Sequence, residues 1–157
     1  MAFTCYRNII LKAKELIKNA KKKIVISGWK REIEEIRKEL IAANKRGIEN
    51  TIFSFTGIDE QLGKIVSYEL DEDDLRKIWT PKVIMVVDNQ HTIMGSTKKT
   101  EDCKAILTKN TAINEIATNH IILDITLAGR RLDFDSDLYV KNIMRDPAEN
   151  LQHLLKV

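Results

Sequence analysis

The segment from Lys82 to Ser96 constrains the fold of this chain more than any other part of the sequence. It reads KVIMVVDNQHTIMGS, so two apolar stretches flank the polar residues Asn89 and Gln90. Apolar, β-branched runs on either side of a short polar turn are typical of a β-hairpin. We therefore predict a buried strand, a two-residue turn at Asn89 and Gln90, and a returning strand that ends at Gly95 and Ser96.

The first third of the chain alternates between helix and strand patterns. Gly47 follows the second helical segment, where glycine can adopt the left-handed conformation that ends a helix. Because a strand, a helix and a second strand follow one another with short connections, we predict a parallel βαβ unit. The predicted elements are a helix over Tyr6–Ala20, a strand over Lys23–Ser27, a helix over Lys30–Arg46 and a strand over Asn50–Thr56.

The remainder of the chain continues the mixture of strands and helices. A helix begins near Asn110 or Thr111, either of which can cap it. A further helix start is indicated by Asp146-Pro147-Ala148-Glu149, with a capping aspartate, a proline in the first turn and an acidic third residue. The sequence therefore predicts an α/β fold, with residues 1–157 forming one domain. The other predicted elements are strands over Ile65–Leu70 and Cys103–Thr108, and a surface loop or single helical turn over Asp71–Lys77.

Composition and charge exclude several classes of protein. Of the 157 residues, 43% are hydrophobic and 31% are charged, which is ordinary for a globular domain. No apolar run approaches the ~20 residues of a membrane helix, and no signal-peptide pattern is present. Cys5 and Cys103 lack the spacing of a metal site, so we expect two reduced thiols in a cytoplasmic protein without metal or cofactor. The net charge of +3 does not by itself indicate a nucleic-acid-binding face.

The spacing of residues around the predicted hairpin resembles half of the phospholipase D superfamily motif, H-x-K-x-x-x-x-D-x-x-x-x-x-x-G-S. Asp88 falls on the aspartate of that motif, and Gly95 and Ser96 fall on its last two residues. Pro81 and Val83 occupy the positions of the catalytic histidine and lysine. Proline can be neither a nucleophile nor a general acid, and valine cannot hold a phosphate charge. The resemblance therefore implies a phospholipase D-like mixed sheet flanked by helices, without catalytic residues.

Two longer segments resemble the regulatory domain of TrmB-type transcriptional regulators. The first reads ILKAKELIKNAKKKIVISGWKREIEEIRKELIAANKRGIENTIFSF, and the second combines VVDNQHTIMG with AILTKNTAINEIATNHIILDI. The resemblance covers about residues 6–130. It implies an effector-binding domain whose ligand is often a sugar in characterised members, and a separate winged helix-turn-helix that binds DNA. Because that module is absent from this chain, we expect DNA contact only through a separate domain.

Polar side chains at three strand ends are the predicted ligand-binding residues. Ligands of α/β folds bind beyond the carboxyl ends of strands, and an aromatic face with hydroxyls and an amide suits a small polar effector. Alternatively, Trp29 anchors the core and the hydroxyls cap nearby helices. We interpret Asp88 as a residue that forms the turn. At Gly95 and Ser96 we expect the backbone to pass close to a neighbouring strand. The six ligand-binding residues are Ser27, Trp29, Ser54, Thr56, Thr108 and Asn110.

The family resemblance also implies a homodimer, because regulators bind operators of two-fold symmetry as dimers. Apolar residues over Ile121–Leu127 and Leu151–Val157 are the predicted dimer surface. His120 and Asp124 stand four residues apart and could pair on a helix. Two other functions stay open: a phosphodiesterase in which other residues replace the missing histidine and lysine, and a dimerisation module without a ligand.

Overall fold

The computed structural model describes residues 1–58, 60–99 and 103–143 together with Leu155. The strands are β1 (Ala2–Phe3), β2 (Lys23–Ser27), β3 (Glu49–Thr56), β4 (Lys64–Leu70), β5 (Lys82–Val87), β6 (His91–Ser96) and β7 (Ala105–Thr108). Within these residues they form one seven-stranded mixed sheet in the order β1-β7-β6-β5-β2-β3-β4. Helices cover both faces of this sheet, so the predicted α/β fold is confirmed.

Two hydrophobic clusters hold the helices on opposite faces of the sheet. The helices are α1 (Tyr6–Asn19), α2 (Lys30–Glu35), α3 (Arg37–Lys45), α4 (Glu72–Arg76), α5 (Thr111–Leu132) and α6 (Asp137–Val140), with a 3-10 turn at Glu60–Leu62. The first cluster joins Ile26 of β2 to buried residues of α1, α2 and α3. The second joins Val25 to Ile121 and Ile125 of α5. Neighbouring residues of β2 enter different clusters because side chains along a strand alternate between the two faces.

The predicted parallel βαβ unit is confirmed. β2 and β3 run parallel, and α2 and α3 form the crossover between them. Gly47 has a φ of +86°, and its N–H donates to the carbonyl of Asn44 at 3.0 Å. The N–H of Ile48 donates to the carbonyl of Ala43, also at 3.0 Å. These two bonds form a Schellman motif, which explains why the helix ends at this glycine.

One local prediction needs correction, and two features were not predicted. The helix predicted over Lys30–Arg46 is broken at Ile36, whose φ of −106° and ψ of 9° leave the helical region. β1 was not predicted, because a strand of two residues is too short to carry a hydrophobic period. The apolar stretch after the start of α5, whose end the sequence left open, belongs to one helix of 22 residues capped by Asn110.

The predicted hairpin is present, but its turn has three residues instead of two. Val87 pairs with His91, so Asp88 belongs to the turn together with Asn89 and Gln90. Both Asp88 (φ 53°) and Asn89 (φ 54°) adopt the left-handed conformation, which aspartate and asparagine tolerate better than most residues. The prediction was wrong by one residue, because the sequence does not show that Asp88 itself turns the chain.

The carboxylate of Asp88 also holds together two segments that are distant in sequence. It accepts backbone N–H bonds from Lys21 at 2.8 Å, from Lys22 at 2.7 Å and from Lys23 at 3.0 Å. The N–H of Asp88 in turn donates to the carbonyl of Lys23 at 2.9 Å. Asp88 therefore fastens the start of β2 to the hairpin turn, beyond the turn role expected from sequence.

The predicted helix start at residues 146–149 lies outside the described residues, as does most of the predicted dimer surface over Leu151–Val157. Of that surface only Leu155 is described, and its side chain is exposed. Over the described part of the chain, no helix combines the length and apolar character needed to cross a membrane.

Candidate functional site

The first and last residues of the motif-like segment lie side by side, where β5 begins and β6 ends. We call this end of the two strands the motif edge (residues 81–83 and 95–97). Antiparallel pairing places Val83 opposite Gly95 and Lys82 opposite Ser96. Just beyond the strands, the N–H of Thr97 donates to the carbonyl of Pro81 at 2.9 Å. β5 and β6 thus bring together residues that are more than ten positions apart in the sequence.

The two positions that would carry catalysis hold buried, non-ionisable side chains. Pro81 is buried, and Val83 is 6% exposed within the core cluster on the α1 face. Asp88 lies at the other end of β5, in the hairpin turn, and cannot supply a group to the motif edge. At these positions the edge therefore offers neither a nucleophile nor a group that exchanges protons.

Gly95 allows β6 to approach β7 closely. A Cβ atom at this position would collide with the backbone of Lys104 and would lie 2.7 Å from the Cβ of Ala105. The N–H of the next residue, Ser96, donates to the carbonyl of Lys104 at 2.9 Å. The predicted close passage of the backbone at Gly95 is confirmed, and a side chain here would separate the strands.

A cavity of about 710 Å³ opens at the motif edge. Three of the motif positions, Val83, Gly95 and Ser96, line it, together with the cationic side chains Lys82 and Lys104. Its floor is a cross-strand row of apolar side chains from β5, β6 and β7, namely Ile84, Met94 and Ile106. An apolar floor beside two lysine side chains suits a small ligand that has an apolar body and an anionic group.

A buried polar cluster adjoins the motif edge. Arg31 donates to the Oε1 atom of Glu32 from Nε at 3.0 Å and from Nη2 at 2.6 Å, and it also donates to the carbonyl of Thr97. Glu32 is 1% exposed, and among the described residues its Oε2 atom and the hydroxyl of Thr97 have no hydrogen-bond partner. These two atoms can accept a further polar group, such as a water molecule or part of a ligand.

Tyr6 completes this cluster from the first turn of α1. The guanidinium carbon of Arg31 lies 4.9 Å from the centre of the Tyr6 ring, in a cation–π contact. Burial and the nearby Glu32 carboxylate raise the pKa of the Tyr6 hydroxyl, so the phenol stays protonated. Sequence reasoning missed this cluster, because Arg31 and Glu32 look like ordinary charged residues of a helix surface.

Four of the six predicted ligand-binding residues lie together at the carboxyl ends of β2 and β3, and the hydroxyls of two of them, Ser54 and Thr56, bond within the fold. The hydroxyls of Ser54 and Thr56 lie 3.0 Å apart, and Thr56 Oγ1 accepts the N–H of Lys30 at 2.7 Å. This bond caps the start of α2. Trp29 is 3% exposed, and Ser27 is half-buried. The helix-capping alternative therefore describes Thr56, while ligand binding by this group stays a prediction.

The expected convergence of three strand ends is wrong for Thr108 and Asn110. β7 is antiparallel to β6, which runs parallel to β2, so the carboxyl end of β7 points to the opposite edge of the sheet. The rule that ligands bind at carboxyl ends applies to parallel strands. Asn110 instead caps α5, with Oδ1 accepting the N–H of Ile113 at 3.1 Å. Its own N–H donates to Thr108 Oγ1 at 3.0 Å.

The predicted dimer surface over Ile121–Leu127 is divided by the helical period of α5. Ile121 and Ile125 are buried against the sheet, whereas Leu123 and Leu127 are exposed and continue an apolar stripe that begins at Ile116. On the same helix, His120 and Asp124 pair at 3.3 Å, as their spacing predicted. Burial raises the pKa of Asp124, while His120 and Lys82 oppose that shift. The exposed stripe, rather than the whole segment, is available to a partner.

A model of one protein family matches most of the chain. It is described as the N-terminal subdomain of the effector-binding domain of the transcriptional regulator TrmB, and it matches residues 4–119. No curated protein has a sequence similar enough to match.

Three solved structures illustrate how widely this fold is shared. The chain superimposes on TrmBL2, described as an archaeal chromatin protein with a novel mode of DNA binding, with a TM-score of 0.59 and 12% identity. This match covers 77% of the present chain and 50% of TrmBL2, so the chain spans half the length of that relative. NucT from Helicobacter pylori gives a TM-score of 0.60 at 11% identity, covering 80% of this chain and 94% of NucT. The phospholipase D family member Nuc from Salmonella typhimurium gives 0.53 at 19% identity, covering 71% and 82%.

Proposed function

The chain belongs to the TrmB family of transcriptional regulators through their effector-binding domain, and we propose that it senses a small-molecule effector without catalysing a reaction. The regulatory role follows from the family. The lack of catalysis is supported by the motif edge, where Pro81 and Val83 stand at the positions of the histidine and lysine that the phospholipase D reaction requires. An enzyme-derived fold is in this way used for binding.

The first expected result is that the domain has no phosphodiesterase activity. Losing a general acid–base group alone reduces a rate by about 10²- to 10⁴-fold, and losing the nucleophile removes the covalent route. The purified domain should therefore not hydrolyse bis(p-nitrophenyl) phosphate above the rate of a buffer blank. Turnover that survives repurification and falls in a Lys82→Gln variant would instead support the phosphodiesterase alternative, because Lys82 lines the cavity at the motif edge.

The cavity at the motif edge is the place we propose for the effector. Lys82 and Lys104 line it beside the apolar floor, and the ammonium group of Lys82 lies 5.3 Å from the centre of the Trp79 ring. A ligand with a carboxylate or phosphate and an apolar body would satisfy both parts of this surface. A charged hydrogen bond contributes about 1.5–3 kcal/mol, so loss of either lysine should weaken such a ligand roughly tenfold or more.

A thermal-shift screen of small organic phosphates and carboxylates, followed by titration of the strongest compound, tests this proposal. Lys82→Gln and Lys104→Gln should each weaken binding, and Ile106→Trp should block it by filling the cavity. Lys38→Gln is the matched control, because Lys38 is exposed on α3, on the other face of the sheet. Binding that is equally strong in all four variants would place the effector elsewhere.

A second candidate function is a dimerisation module without a ligand. The exposed residues Ile116, Leu123 and Leu127 favour it, because exposed apolar residues that share one helix face mark an interaction site. We propose that two copies meet through this stripe in the cytoplasm, and that a separate winged-helix domain contacts DNA. Saturable binding of a compound that requires the two lysines would favour effector sensing. A dimer that binds none of the screened compounds would favour the second function.

A further inference from the structure

The two cysteines lie where the amino-terminal strand meets β7. β1 and β7 are antiparallel, with Ala2 opposite Ile106 and Phe3 opposite Ala105. Each step forward along β1 is a step backward along β7, so the same register carried two residues further places Cys5 opposite Cys103. β1 ends at Phe3, and the backbone of Cys5, two residues further on, is again extended, with φ −135° and ψ 131°.

The spacing of paired strands also allows a bond between the two thiols. Met1 and Leu107 exchange two backbone hydrogen bonds, at 2.9 Å and 2.7 Å, which carries the same register back to the first residue. Residues directly opposite each other in an antiparallel ladder have Cα atoms about 4.5–5.5 Å apart. Disulfides span Cα separations of about 4.4–6.8 Å.

Both thiols face the same side of the sheet. Ala105 and Cys103 belong to the core cluster on the α1 face, and Phe3 packs against that cluster. Side chains two positions apart in a strand share a face, so Cys5 follows Phe3 to the side that holds Cys103. The pair thus meets the requirements of separation and direction.

The two thiols differ in their access to solvent. Cys5 is exposed, whereas Cys103 is buried, and both are free in the structure. Burial raises the pKa of the Cys103 thiol, and the neighbouring Cys5 raises it further. An oxidant from solution therefore meets Cys5 first, and the raised pKa of Cys103 makes its attack the slower, second step.

We propose that Cys5 and Cys103 are an oxidisable pair that closes a disulfide between the start of α1 and the start of β7. A low-molecular-weight disulfide is the oxidant. The Cys5 thiolate attacks one of its sulfur atoms and releases a thiolate. The Cys103 thiolate then attacks the Cys5 sulfur and releases the second thiolate. Each released thiolate takes up the proton that a cysteine gave to solvent, so one disulfide is reduced to two thiols as the new bond forms.

Such a bond would also fix one wall of the cavity at the motif edge. Thr4 and Lys104, the chain neighbours of the two cysteines, both line it. A link from oxidation to effector affinity rests on the proposed function, whereas formation of the bond does not, so the test measures the bond itself.

The experiment incubates the reduced full chain with glutathione disulfide under native conditions. We expect the intact mass to fall by two hydrogen atoms, with no glutathione retained, and peptide mapping to join Cys5 to Cys103. Because the bond closes a long loop, the oxidised form should melt on the order of 10 °C higher, and dithiothreitol should reverse the change.

Two single variants provide the controls. Cys103→Ala should keep a stable glutathione adduct on Cys5, and Cys5→Ser should leave a chain whose melting temperature does not respond to the oxidant. Cys103→Ala also shows whether the buried position tolerates a change. A stable adduct on Cys5 of the unmodified chain with Cys103 still reduced, or cross-linked dimers as the sole product, would overturn the proposal.

Discussion

Replacing Trp29 with alanine is expected to lower the free energy of unfolding by about 3–5 kcal/mol. Trp29 is 3% exposed, and it occupies the junction at which β2 ends and α2 begins. Its carbonyl accepts the N–H of Ile33 at 3.1 Å, which starts the helix and which alanine would preserve. The loss would therefore come from the cavity left by the indole and not from the helix cap.

Trp79 is the matched control for this prediction. It is 43% exposed, and its ring meets the ring of Phe55 at 4.7 Å. An aromatic pair of this kind contributes about 0.5–1.5 kcal/mol, so Trp79→Ala should cost roughly 1 kcal/mol. Denaturant unfolding of both variants gives the comparison, and Trp29→Phe gives a smaller loss if alanine prevents folding. Equal losses for the two tryptophans would remove Trp29 from the core and would revive its predicted ligand role.

Replacing Asp88 with alanine is expected to destabilise the chain by roughly 2–3 kcal/mol. The carboxylate accepts three backbone N–H groups in succession, from Lys21, Lys22 and Lys23. Without it these donors turn to water or stay unpaired, and the start of β2 loses its connection to the hairpin turn. The figure lies below the sum of three charged hydrogen bonds, because two of them are exposed.

Two further variants separate the hydrogen bonds from backbone strain. Asp88→Gly accepts a φ of 53° without penalty but still loses the carboxylate, so most of the loss should remain. Asn89→Ala places alanine at a similar φ of 54° one residue further on, so its loss of stability measures the backbone strain alone. If Asp88→Gly proves as stable as the unmodified chain while Asn89→Ala does not, strain rather than the three hydrogen bonds explains the effect.

Sequence patterns predicted the parts of this fold whose signals are local. The hairpin and the crossover from β2 to β3 both appear as apolar runs separated by turn residues, and Gly47 marks its helix end. The direction of β7 carried no such signal. A strand looks the same in either direction, so Thr108 and Asn110 were assigned to the wrong edge of the sheet.

The site was harder to predict than the fold, because its members gain their roles through contacts that the chain order does not reveal. Glu32 has the sequence context of a solvated helix residue, yet it is 1% exposed and bonded to Arg31, which also donates to Thr97. Trp29 seemed an accessible aromatic platform, whereas Trp79 is the tryptophan that reaches solvent. Burial depends on tertiary packing, which a single sequence does not report for either residue.

The hairpin of β5 and β6 holds Asp88 far from the motif edge. Pro81 stands at one edge of the sheet and Asp88 at the other, about 20 Å away at the usual rise of a strand. Substitutions at such a distance contribute independently to stability. Exchanges of the residues at the motif edge should therefore leave the hydrogen bonds of Asp88, and the stability that they provide, unchanged. The two ends of this hairpin are thus free to diverge in sequence separately.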